Sequence, residues 1–113
     1  MPINSKQKGK AGEREAAKLL TEIFGEQCRR GVQYQGGPSS PDVVGIPGIH
    51  FEVKRCETLS IYTAMDQAER DSGGSVPCVL HRRNQRGWLV VIQAEDLADF
   101  VTTCFHILAN KGN

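Results

Sequence analysis

The sequence has no long apolar run, no cysteine pair at metal-binding spacing and no real excess of either charge. None of its apolar stretches approaches the roughly eighteen residues that span a bilayer, so a membrane-spanning chain is not expected. No basic segment followed by an apolar core marks an exported leader, which sets the expected location inside the cell, in the cytoplasm. Cys28, Cys56, Cys78 and Cys104 stand far apart with no CxxC among them. That spacing argues against zinc and, in a reducing compartment, for free thiols. Lys and Arg number 14 against 13 Asp and Glu, a net charge of +1 with a pI near 7.7. A domain that binds nucleic acid by bulk charge sits well above that value. What is present, 113 residues of which 39% are hydrophobic and 24% charged, is the composition of one globular domain.

Periodicity orders the elements. Ala16, Leu19, Leu20, Ile23 and Phe24 share a helical stripe about 140° wide, and Gly25 ends it, which predicts a helix over residues 10–24. Cys28, Arg30, Val32 and Tyr34 alternate as a strand does, and residues 35–41 are a loop of turn formers. Two β-rich runs, 42–46 and 49–55, flank Pro47 and Gly48, a strong turn pair. Ser60 is placed to cap a second helix over 61–72, with Ile61, Ala64, Met65 and Ala68 inward and Gly73 and Gly74 closing it. The apolar runs 76–82 and 88–93 form a second hairpin. A last helix over 95–109 turns Leu97, Phe100, Val101, Cys104 and Leu108 inward. The order αβββαββα predicts a single α/β (α+β) domain with a central mixed sheet flanked by helices. Residues 1–8 read as a flexible basic lead-in and 9–113 as the domain.

The strand Ile49–Lys54 alternates, so His50, Glu52 and Lys54 share one face and Ile49, Phe51 and Val53 the other. Glu-x-Lys alone is an ordinary solvated strand face, and His50 is an ambiguous strand histidine, not a general base. Asp42 changes the weight of the pattern. With a plain two-residue turn at Pro47 and Gly48, Asp42 opposes Val53 on the core face. One extra residue, as a bulge at Gly45 or a three-residue loop, shifts the register and sets Asp42 across from Glu52. The shifted register is the expected one. Two carboxylates so close need a cation or a raised pKa, and oxygen ligands favour Mg²⁺ or Mn²⁺ over zinc.

Glu13 lies about 60° from the centre of the first helix's apolar stripe, an inward position that suits service to this site. The alternative is a first-turn acid complementing the helix dipole. Glu15, on the opposite side, reads as surface. Gln67, on the flank of the second helix, either aims its amide at the acids or a phosphate or is a surface or packing residue.

Pro41-Asp42, then Glu52-Val53-Lys54, resemble the signature of the PD-(D/E)XK nuclease superfamily, whose restriction-endonuclease-like core has the order αβββαβ read above. More narrowly, the chain resembles the archaeal-type Holliday junction resolvases and their shorter phage relatives. The shared features are Lys8-Gly9-Lys10-Ala11-Gly12-Glu13-Arg14, an arginine in the second element, Pro41-Asp42-Val43-Val44, Phe51-Glu52-Val53-Lys54, and Gln67-Ala68-Glu69 leading to Ser72-Gly73-Gly74. They span about residues 8–93, and the second hairpin and last helix depart from the resolvase pattern. The resemblance implies that Asp42 and Glu52 bind the metal with Glu13 completing or supporting the site, and that Lys54 orients or polarises the attacking water. Arg30, or else Arg29, matches the strand arginine near the scissile phosphate, and Gln67 matches the helix glutamine.

The expected function is therefore a Mg²⁺- or Mn²⁺-dependent DNA endonuclease selective for branched DNA, acting in recombination or repair. Two other readings stand beside it. One is a nickase, repair or restriction-type PD-(D/E)XK enzyme on duplex or flap DNA, and the other is a non-catalytic nucleic-acid-binding protein of this fold. Phosphate contacts are expected from Lys6, Lys8 and Lys10, from Arg29 and Arg30, and from Arg82, Arg83 and Arg86. A homodimer is expected because two opposed strands must be cut, with Met65, Trp88 and Phe105 as apolar candidates for its interface. The neutral total hides a split. Residues 95–113 hold Lys111 against Glu95, Asp96 and Asp99, so the basic excess lies in the rest of the chain.

Overall fold

The computed structural model describes residues 5–31 and 40–110, without the side chains of 5–8. Val32, Tyr34, most of the expected 35–41 loop, Lys111 and the side chains of Lys6 and Lys8 lie outside the described residues. The elements are α1 (Ser5–Phe24), β1 (Arg29–Arg30), β2 (Val43–Val44), β3 (Ile49–Arg55), α2 (Ile61–Asp71), β4 (Val76–Arg82), β5 (Leu89–Val91) and α3 (Leu97–Ala109), the last entered through a 3₁₀ turn at Ala94–Asp96. This is the expected order. The first helix starts at Ser5 rather than near residue 10, so the backbone of 5–8 is helical and not a lead-in.

The five strands form one sheet in chain order β1-β2-β3-β4-β5. Only β3 and β4 run parallel, and α2 makes the crossover between them. One face of the sheet carries Val43, Ile49, Phe51, Cys78 and Leu80 against Ala16, Ala17, Leu20 and Phe24 of α1, with Phe100, Cys104 and Ile107 of α3 beside them. The other face packs Val79 against Ala64, Met65 and Ala68 of α2. Burial on both faces explains why β4 reads as a continuous apolar run rather than an alternating one. Its Cys78, Val79 and Leu80 are fully buried, and each branched aliphatic there contributes about 1.5–3 kcal/mol. All four cysteines are free thiols, and burial pushes the Cys78 thiol up to about 12. No helix among the described residues is long and apolar enough to cross a membrane.

Two helices present faces other than those the sequence predicts. On α1 the buried set is Ala16, Ala17, Leu20 and Phe24, while Ile23 is 49% exposed, a rotation of about 45° toward Ala17 at 100° per residue. Small Ala16 and Ala17 let the helix lie close to the sheet. On α3 the packed side chains are Phe100, Cys104 and Ile107, whereas Leu97, Val101 and Leu108, expected inward, are exposed. Its apolar side chains span an arc of about 200° at 100° per residue, wider than one contact can cover, so the neighbouring sheet selects which part is covered. Ser60 does occupy the cap position of α2, but its hydroxyl donates to Thr63 Oγ1 at 2.9 Å rather than accepting from a backbone N–H.

Candidate active site

The site begins with a bulge. Gly45 has φ +126°, and a Cβ there would stand 2.6 Å from the Gln27 carbonyl oxygen, so only glycine fits. The pairing that follows is Val43 with Phe51, which sets Asp42 opposite Glu52 as the shifted register predicts. Two bonds fix Asp42. Its N–H donates to the Phe51 carbonyl and its Oδ2 accepts from the Val53 N–H, both at 2.8 Å.

The two carboxylates stand on the α2 face of the sheet, where Glu52 pairs laterally with Val79. Burial, followed by the charges of Glu52 and then Glu13, lifts the Asp42 carboxyl to about 7, against the opposing effect of the Val53 N–H. Such a shift is that of a carboxyl withdrawn from water with other acids beside it.

His50 is where the strand-face reading fails. Ambiguous in the sequence, it is 3% exposed beside Glu52 at 4%, and its Nε2 lies 2.8 Å from Glu52 Oε1. A carboxylate only accepts, so Nε2 donates. The signal was present as a His two residues before the Glu on one strand face, but the cover supplied by α2 was not visible in it.

Lys54 projects from the same face, and its Nζ donates to Gln67 Oε1 at 3.0 Å. The glutamine amide is thus aimed at the lysine, which brings α2 into the site. Glu13 sits at the centre of the rotated buried face of α1, in its third turn, so it is not a first-turn acid. Its Oε1 accepts from Arg30 Nε at 2.9 Å, which ties α1 to β1 through one of the three guanidinium nitrogens.

Glu15, read as surface, is instead a clamp. It accepts from Arg82, and from Trp88 Nε1 at 3.1 Å, with Arg55 Nε at 3.8 Å. Arg82 is thereby engaged within the fold, also donating to the Arg86 carbonyl. Arg83 and Arg86 are exposed around a groove of about 800 Å³ that Trp88 also lines. Lys10 and Arg29 are exposed too. Met65 is buried and Trp88 half-buried, while Phe105 is 66% exposed.

Among the described residues, no three His, Cys, Asp or Glu side chains gather tightly enough to enclose a metal ion. A pair of carboxylates is nevertheless what Mg²⁺ takes, since it keeps several waters and adds substrate phosphates. Asp42 Oδ1 and Glu52 Oε2 remain available once the Val53 and His50 bonds are counted. The oxygen-only donors and the raised Asp42 carboxyl therefore fit a hard divalent cation.

A family model described as "Phage putative PDDEXK endonuclease" matches residues 4–111. No curated protein and no solved structure matches the chain.

Proposed function

Because the chain belongs to this phage PDDEXK endonuclease family, we propose that it hydrolyses DNA phosphodiester bonds with a divalent ion held by Asp42 and Glu52. The observation that carries the reading is the facing pair of carboxylates with Asp42 raised to about 7. A divalent ion there supplies a water of lowered pKa and charge neutralisation at the phosphate.

The chain's own residues do the rest. His50 holds one oxygen of Glu52 and leaves the other forward. Gln67 holds the Lys54 ammonium in place, as a positive donor beside the attacking water, where charge builds in the transition state. Arg30, oriented by Glu13, presents its remaining N–H groups to a non-bridging phosphate oxygen. Glu13 acts through Arg30 rather than as a third ligand. The products are a 5′ phosphate and a 3′ hydroxyl.

Branched DNA is the proposed substrate, with a homodimer placing two such sites on opposed strands. The exposed Leu97, Val101, Phe105 and Leu108 occupy one arc of α3, and a second copy packing there would cover them. A four-way junction, a flap and a linear duplex, each incubated with Mg²⁺ and with EDTA, test the proposal. Cleavage of the junction alone, and only with Mg²⁺, is expected. Equal cutting of duplex removes the junction claim, and no cutting by a protein that still shifts DNA makes it a binding module.

A further inference from the structure

A groove of about 490 Å³ runs between α1 and β1, lined by Arg14, Lys18, Arg29 and Arg30, with Glu22 the one acid among the described lining residues. Arg14, Lys18 and Arg29 are exposed, and none of them takes part in an ion pair among the described residues. Arg14 and Lys18 are four apart on the helix, where like charges repel. Arg55 and Arg82, by contrast, are paired with Glu15.

The groove also leads somewhere. Its floor, β1, pairs with β2 through Arg29–Val44 and Arg30–Val43, and the Gly31 N–H donates to the Asp42 carbonyl at 2.9 Å. Arg30 links the groove to Glu13 at 2.9 Å. The groove lies on the α1 side and the carboxylates on the α2 side of the sheet, with β1 as the edge strand between them, so a polyanion over Arg14, Lys18 and Arg29 reaches the carboxylates by passing Arg30 at that edge. Without those cations, the acidic site would repel it.

We infer that this groove holds the sugar-phosphate backbone of the DNA strand that enters the Asp42–Glu52 site, with Arg14, Lys18 and Arg29 as its phosphate contacts. Contacts of this kind carry affinity and register without sequence preference. The inference rests on the DNA endonuclease reading and adds Lys18, together with a phosphate-contact role for Arg14 that the sequence did not assign.

Fluorescence anisotropy of a labelled duplex of about 20 base pairs, titrated in EDTA over a range of NaCl, separates the two. The triple variant Arg14→Ala, Lys18→Ala, Arg29→Ala is compared with the wild type and with Arg70→Ala, an exposed position of α2. Each lost phosphate contact makes the slope of log K against log salt shallower by about 0.9. The triple variant should lose about 2 to 3 from the slope and bind at least about tenfold more weakly at low salt, with Arg70→Ala unchanged. Lys18→Ala alone, shifting the slope by about 0.9, carries the test if the triple variant does not melt as a folded protein. Wild-type slope and affinity in the folded variants would overturn the groove while leaving the nuclease reading in place. A wild type that binds no DNA overturns both.

Discussion

Asp42 is held where its charge is least welcome. In the fold its carboxyl keeps a proton up to about pH 7, against an ordinary value of 3.8. The folded state thus binds the proton more tightly than the unfolded chain does. Stability of the metal-free protein therefore falls as pH rises from about 4 to about 7 and levels off above that. Asp42→Asn keeps an acceptor for the Val53 N–H and removes the charge. It should abolish cleavage, leave DNA binding intact or tighter, and raise the melting temperature in EDTA at pH 8, as calorimetry would read. A lower melting temperature would mean that the carboxylate is structural. His50→Ala leaves the buried Glu52 carboxylate one bond short, a cost of about 1–3 kcal/mol. It should also weaken Mg²⁺ binding by about 10–100-fold, seen as a rise in the Mg²⁺ concentration for half-maximal cleavage. An unchanged Mg²⁺ titration would count against the positioning role.

At the scale of elements, α1 does more than cover the sheet, because its close approach is what delivers Glu13 to Arg30. A Cβ at Gly12 would stand 2.5 Å from the Arg55 Cβ, so the helix rests directly on β3. Gly12→Ala should cost about 1–3 kcal/mol by overpacking, measured by denaturant unfolding, and slow cleavage by displacing Glu13. Wild-type stability would show that the helix can slide without loss. The β2–β3 hairpin was legible because a single glycine and a turn pair decide its register. The face of α3 was not. Apolar side chains over an arc of about 200° at 100° per residue leave its rotation open, and packing of Phe100, Cys104 and Ile107 against the buried core closes it.

For the molecule as a whole, the covered and uncovered faces differ in kind. The α2 face of the sheet holds the acids and Lys54. On the opposite layer, the outward arc of α3 carries Leu97, Val101, Phe105 and Leu108 with no charge among them. Sedimentation should find a dimer in the wild type and a monomer in Phe105→Glu. Because Phe105 is 66% exposed, that change should alter monomer stability by no more than about 0.5 kcal/mol. A monomeric wild type would remove the proposed dimer.

The sequence by itself determined the order of elements, the one-residue register shift ahead of β3 and the meeting of Asp42 with Glu52. Each of these is local, set by a period, a turn or one residue's backbone freedom. It also supplied Lys54, Gln67 and Glu13 as candidates. Only the tertiary structure decided that His50 is buried against Glu52, that Glu15 clamps Arg82 and Trp88, and that Arg14 and Lys18 share a groove with Arg29. These depend on how each helix is rotated about its own axis and which sheet face it covers. A few tens of degrees of rotation move a side chain from solvent to core with no change in the sequence pattern.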